Sequence, residues 1–399
     1  MNEPFVGLVK FEGEAKAIET AVVSIVKDIC RRIGEKDELL TNTVIMSGSV
    51  AENTKVGLPD EFDFLCVLNK IPELFDIHVE ESTDNSYVNL KLEEVHRGTA
   101  RDRFFERYSD FSISQSRLLG RFHDVLQEIM QMSDIYRHPN IFHVKHGVQE
   151  PHGSPNFALT LRWFCCKYKN MTVKIDLVPA CLISCQPDSK LYSNTFNPNT
   201  KENEGLLILF QHVVQRCVRP PMIIKFRFNE HNVRTSAVNA ERKLLNALQQ
   251  EGRDAYVISK ILCCDRVCPS VIDVNHACRK QYPTCASIIS SYMLKNCLFH
   301  VAKEESLETL SKLSVHGYVC KIFEKFLQCS LEGNLPCYMF PWQNLFTFQS
   351  EYNEHDISIT CICRAMYAKI ILNILGKNED FHDISPMING FYIQDTLSS

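Results

Sequence analysis

Between residues 12 and 34, apolar side chains recur at three- and four-residue steps, at Ile18, Val22, Ile25, Ile29 and Ile33. That period predicts one long amphipathic helix, with Gly34 as its stop. A β-branched run, Thr43-Val44-Ile45, then leads into Met46-Ser47-Gly48-Ser49. After a polar segment with Gly57 and Pro59, Glu61-Phe62-Asp63-Phe64 opens a run to Leu68 whose Phe and Val content predicts a strand. Asp84-Asn85-Ser86, before the apolar alternation at 87–92, gives that stretch a hairpin character. Leu118, Leu119, Phe122, Val125, Leu126 and Ile129 predict a helix over 113–132. Residues 157–161 and 173–179 predict two further strands, paired near one another. Asp, Asn, Pro, Ser and Lys dominate 187–203, which predicts a loop or lobe boundary. Beyond it the pattern is mostly helical, with helices predicted at 238–248, 256–263, 287–301, 307–316 and 319–328. The chain has no internal repeat and no low-complexity segment.

Residues two apart on a strand share a face, so Glu61 and Asp63 point one way while Phe62 and Phe64 point into a core. Two neighbouring carboxylates repel unless a cation lies between them. Mg²⁺ and Mn²⁺ accept carboxylate oxygens readily. The Gly48-Ser49 turn upstream offers backbone N–H groups and a hydroxyl for a phosphate. Asp176, in the middle of Ile175-Asp176-Leu177-Val178, supplies a third acid that is expensive to bury alone. Three acids from two strands can clamp two ions about 3.5–4 Å apart. The pattern therefore reads as a nucleotidyltransferase site. The plainer alternatives are an edge strand with two solvated acids and an Asp176 that pairs with Lys174 or a distant arginine.

Composition narrows the setting. The chain has 399 residues, 45% hydrophobic and 23% charged, which suits one large bilobal unit or two domains. No apolar run reaches membrane-spanning length, and Met1-Asn2-Glu3-Pro4 lacks the basic-then-apolar pattern of a secretory leader. Eighteen cysteines then point to free thiols in a reducing, cytoplasmic setting. The formal net charge is −5, so any nucleic-acid surface must be a local patch. Lys27, Arg31 and Arg32, towards the end of the first helix, suit phosphate contacts or simply complement the helix dipole. Arg97, Arg101, Arg103 and Arg107, interleaved with aromatics, suit a nucleic-acid surface or an exposed helix paired with Asp102 and Glu106. Cys263, Cys264, Cys268, His276, Cys278 and Cys285 follow no standard zinc spacing and read as core thiols.

Several motifs together resemble the family of cyclic GMP-AMP synthase, its cGAS-like receptor relatives and the male-abnormal developmental proteins. Gly48-Ser49 followed by Lys55-Val56-Gly57-Leu58-Pro59-Asp60-Glu61-Phe62-Asp63 resembles the family's phosphate turn and metal acids. The stretch from Val173 through Asp176 to Ala180 is similar to its third-acid strand. Val233-Arg234-Thr235-Ser236, followed by Glu241-Arg242-Lys243-Leu244-Leu245, resembles its Arg- and Ser-bearing segment. Lys260 stands where the family has a nucleotide-contacting lysine. Ser290-Ser291-Tyr292-Met293-Leu294-Lys295 matches its Ser-Ser-Tyr-x-x-Lys, whose tyrosine stacks on a base. Leu335 to Phe346 is similar to its C-terminal motif. The family's His/Cys zinc insertion has no counterpart in Gln249-Gln250-Glu251-Gly252-Arg253-Asp254-Ala255.

The resemblance implies a bilobal α/β nucleotidyltransferase fold. A mixed-sheet lobe with the long N-terminal spine helix would span 1–200, a helical lobe would span 201–399, and the active site would lie in the cleft between them. It implies two Mg²⁺ or Mn²⁺ ions held by Glu61, Asp63 and Asp176, with no structural zinc. Gly48, Ser49, Arg234, Ser236, Lys260, Ser291, Tyr292 and Lys295 would bind nucleotide. The implied activity joins two nucleoside triphosphates into a cyclic dinucleotide, as in a cGAS-like innate immune sensor. Relatives without the zinc thumb imply double-stranded RNA as activator, and a ligand-induced dimer is compatible with that. The alternative within the resemblance is a catalytically silent, nucleotide-binding or developmental scaffold protein of the male-abnormal type.

Overall fold

The computed structural model describes residues 7–81, 88–94, 115–132, 138–143, 157–183, 206–209, 214–219, 223–228, 232–264, 267–268, 288–346 and 354–377. They form a mixed α/β protein that divides into two compact units. The first comprises residues 1–190 and 196–241, and the second residues 191–195 and 242–399.

The first unit opens with α1, Gly13–Lys36, whose buried face carries Ile18, Val22, Ile25, Ile29 and Ile33, as the periodicity requires. A short 3₁₀ turn, Glu38–Leu40, leads to β1, Asn42–Ser47. Then follow α2, Gly48–Ala51; β2, Glu61–Leu68; α3, Ile71–Leu74; β3, Phe75–Glu81; and β4, Val88–Glu94. The helix α4, Gln115–Met130, buries Leu118, Leu119, Phe122, Val125, Leu126 and Ile129. After it come β5, Ile141–His143; β6, Phe157–Trp163; and the long β7, Met171–Ile183. The strands β8, Leu206–Leu209; β9, Val214–Arg219; β10, Ile223–Phe228; and β11, Asn232–Ser236 complete the unit.

Among the described residues, nine of these strands form one sheet in the order β1-β2-β7-β8-β11-β4-β3, with β6 also on β7 and β5 on β6. Only β2 and β7 among these pairs run parallel. Separately, β9 and β10 form an antiparallel hairpin. The sheet is apolar on one face through Phe62, Phe64 and Cys66. There α1 packs, with Cys30 Sγ 3.4 Å from Cys66 Sγ. On the other face Leu65, Val67, Val178, Ala180, Leu207 and Leu209 form an apolar cluster.

The second unit is helical. It contains α5, Val238–Ala247, which starts in the first unit; α6, Gln250–Leu262; α7, Ser291–Glu304; α8, Leu307–Lys312; α9, Val315–Glu332; and α10, Glu354–Ile374. Ser290, Ser306 and Ser314 cap three of them by accepting from the N–H three residues on. Gly333 ends α9 at φ 68°, a left-handed cap that glycine adopts without strain. Tyr318, Phe323, Phe326, Phe340 and Phe346 fill the core. Buried Arg364 donates to the Ile288 carbonyl at 2.9 Å, with its guanidinium 4.5 Å from the Phe346 ring centroid. No helix among the described residues is long and apolar enough to cross a membrane.

Two expectations change. Residues 206–236 contain four strands rather than helix, because β8 joins the end of β7 and β11 then pairs with β8. The division between units accordingly falls at 241/242 rather than at 200/201. The 84–86 turn, the arginine-rich stretch at 96–108, the 187–203 loop, and His276, Cys278 and Cys285 lie outside the described residues.

Candidate functional site

The parallel register of β2 on β7 sets Glu61 opposite Lys174 and Asp63 opposite Asp176. On the other side, β1 sets Ser47 opposite Asp63. Register partners share a face, so Ser47, Asp63 and Asp176 form a row across three strands, and Glu61 lies on that face two residues from Asp63. Along the same face β2 turns apolar at Leu65 and β7 at Val178. The acids therefore sit at the border between solvent and a dry core.

That border explains the state of Asp63. Burial, then the Glu61 and Asp176 charges, push its carboxyl up to about 7; Lys55 opposes them and Glu52 adds to them. A carboxyl raised to about 7 is the response of a buried acid crowded by other acids.

Gly48 begins α2 directly after β1, at φ 65°. A Cβ at this position would lie 1.9 Å from Asp63 Oδ2. Only glycine allows both the left-handed backbone and the close approach of this carboxylate. The turn that follows buries Glu52, Thr54 and Lys55. Thr54 N–H donates to the Ser49 carbonyl at 2.8 Å, which folds the segment back on itself. Lys55 Nζ then lies 3.1 Å from Asp60 Oδ1 and 3.1 Å from Glu61 Oε2. Burial works against the charge on Lys55, but Glu61 and Asp60 outweigh it and hold the ammonium above the ordinary lysine range.

Among the described residues, no three carboxylate, imidazole or thiol groups are already gathered around a point where an ion could sit. Glu61 is engaged with Lys55. The donor set nevertheless fits a hard divalent cation. It is all carboxylate, it lies on one face, and the charged form of its central member, disfavoured by burial and by the neighbouring acids, is what a cation would favour.

The other expected residues fall into both units. Arg234 and Ser236 lie on β11, opposite Leu209 and Leu207, in the first unit. Lys260, Ser291, Tyr292 and Lys295 lie together in the second. Lys260 Nζ is 5.4 Å from the Tyr256 ring, and Tyr256 Oη donates to the Ser291 carbonyl at 3.2 Å. Lys295 Nζ is 5.1 Å from the Tyr292 ring, and Tyr292 Oη lies 3.4 Å from Cys337 Sγ. Lys295 is buried because α7 is enclosed from Met293 to Phe299, while Tyr292 is half-buried. Buried Asn296 fixes this corner, since its Nδ2 donates to the Tyr292 carbonyl and its Oδ1 accepts from Tyr338 N–H.

Of the expected nucleic-acid contacts, Arg31 donates to Asp28 and Glu35, and Arg32 to Asp28 and Met132. Both guanidinium charges are thus balanced, largely within α1, and Lys27 is exposed. Sequence reasoning passed over Glu52 and Lys55 as parts of the site. Lys55 follows Gly48 by seven residues and precedes Glu61 by six, and only the fold of the intervening turns brings the three together. No family model matches the chain.

Proposed function

We propose that the chain is a metal-dependent nucleotidyltransferase of bilobal fold that joins two nucleoside triphosphates into a cyclic dinucleotide. The observation that carries this reading is the acid row: Asp63 and Asp176 are in register on adjacent parallel strands, with Gly48 pressed against Asp63. Glu61, Asp63 and Asp176 would hold the cation. A divalent ion bound there supplies positive charge that activates a ribose hydroxyl and offsets the triphosphate. Asp63 would give up its proton on cation binding, and Asp63 and Asp176 would stay fixed by the two paired strands. Gly48 and Ser49 would position the triphosphate, and Gly48 keeps the backbone close enough to the acids for both to meet one phosphate group. Tyr292 offers an aromatic face to a base, and Lys260 and Lys295 offer charge. Activation by double-stranded RNA rests on the sequence resemblance, and a cytoplasmic setting rests on the cysteine content.

The silent, nucleotide-binding alternative has one observation in its favour: Glu61 is bound to Lys55 rather than gathered with the other acids. Incubation with the four labelled nucleoside triphosphates and Mn²⁺, with and without double-stranded RNA or DNA, separates the two. A phosphatase-resistant product from the native chain, lost in the Asp63→Asn, Asp176→Asn double variant, supports the enzyme. Equal product from both proteins removes the acid row from the chemistry. No product with any nucleic acid, alongside nucleotide binding, favours the silent reading.

A further inference from the structure

Lys55 serves two carboxylates at once, and one of them, Glu61, belongs to the acid row. Its ammonium is 3.1 Å from Asp60 Oδ1 and 3.1 Å from Glu61 Oε2. Its side chain is 9% exposed, against 39% for Asp60 and 54% for Glu61. The lysine is therefore the fixed member of the trio, and Glu61 is the member free to turn. Glu61 also belongs to the face that carries Asp63 and Asp176. A divalent cation at Glu61 Oε2 competes with the Lys55 ammonium for the Glu61 charge.

We propose that Lys55 is a positioning residue that holds Glu61 as an internal counter-charge until a divalent cation takes Glu61 over. Asp60 keeps the ammonium paired once Glu61 has left. The inference rests on the reading that Glu61, Asp63 and Asp176 form the cation site. It makes the lysine a competitor of the metal. Without cation Glu61 keeps a counter-charge, and the exchange sets how much metal is needed to assemble the site.

The test is binding of Mn²⁺ alone to the full chain, without nucleotide, read as free Mn²⁺ by electron paramagnetic resonance. Lys55→Met should tighten Mn²⁺ binding about fivefold, the scale of a partly exposed ion pair. In an Glu61→Gln background the same substitution should leave the affinity unchanged, because nothing remains to compete for. A lysine that acts only through general charge repulsion would tighten binding equally in both backgrounds, and that result overturns the proposal. So does a Lys55→Met protein that loses stability with unchanged Mn²⁺ affinity, since the lysine is then merely structural. If Lys55→Met does not fold, Asp60→Asn decides. It leaves Lys55 only Glu61 and should weaken Mn²⁺ binding in the native background but not with Glu61→Gln. Asp63→Asn and Asp176→Asn separate the two levels. Native Mn²⁺ affinity in both would sink the cation site itself. Loss of binding there, with no effect of Lys55→Met, sinks only the role of Lys55.

Discussion

Asp63 has a folded-state pKa of about 7 against an ordinary 3.8, so the folded chain keeps a proton that the unfolded chain releases between those values. Its contribution to stability is full below about pH 4 and is lost as the pH rises through about 7. Without divalent cation, urea unfolding should show this group removing on the order of 2–4 kcal/mol across that window. Asp63→Asn should flatten the profile and be the more stable protein at pH 8 by about 2 kcal/mol, a gain in stability where function requires a strained group. Parallel profiles for the two proteins would show that Asp63 does not titrate in this range. Mn²⁺ should restore the native protein at pH 8 and leave the variant unmoved. Gly48 bears on the same carboxylate. Gly48→Ala meets both the φ of 65° and the Asp63 oxygen, and should cost about 2–4 kcal/mol. In an Asp63→Ala background the clash with the carboxylate is gone, and the backbone strain, about 1–2 kcal/mol, remains together with a close 3.1 Å approach to the Cβ at position 63. Additive effects in that cycle would refute the close contact.

Glu14 ties the start of α1 to the turn between β6 and β7. One carboxylate accepts from Trp163 Nε1 at 2.9 Å, Lys167 N–H at 2.8 Å and Tyr168 N–H at 2.9 Å. Burial opposes its charge, but these donors prevail and hold its pKa below the ordinary range. Glu14→Ala should lower stability by about 2–3 kcal/mol, since it strands three donors, while Glu14→Gln should lose less. A change under about 0.5 kcal/mol in urea unfolding would mean that water replaces the carboxylate. The helix that Glu14 begins was legible in the sequence because α1 buries one stripe only, so its 3.6-residue period survives. No such stripe marks α10. Cys361, Cys363, Arg364, Ala365, Tyr367, Ala368, Ile371 and Leu372 are all buried, and a helix enclosed on most sides loses its amphipathic signature. The strands between 206 and 236 escaped for another reason. They are short, and β8 and β11 owe their place to pairing with β7 and with each other. In the acid row, the i, i+2 spacing of Glu61 and Asp63 could be read directly. The in-register meeting of Asp63 with Asp176, and that of Lys55 with Glu61, depend on tertiary pairing that no linear spacing encodes.

The proposed reaction asks both compact units to take part, and each can be followed separately. The acids lie in the first unit, whereas Lys260, Tyr292 and Lys295 lie in the second. A ligand that binds only folded protein slows local opening in whatever it contacts, so amide hydrogen exchange reports on each unit. Mn²⁺ alone should protect β2, the start of β7 and the turn at 48–55, and leave α6 and α7 at their native exchange rates. Mn²⁺ with a non-hydrolysable nucleoside triphosphate should add protection in α6 and α7. At one hundred times its dissociation constant, a ligand contributes about 2.7 kcal/mol, roughly a hundredfold slowing where exchange follows global opening. Protection that stays within the first unit would remove Lys260, Tyr292 and Lys295 from the proposal while leaving the acid row intact. Protection of α6 and α7 by the triphosphate without metal, persisting in Asp63→Asn, would instead describe nucleotide binding that does not depend on the acid row. The two units thus separate metal binding from nucleotide binding in a single measurement, before any product or activator is known.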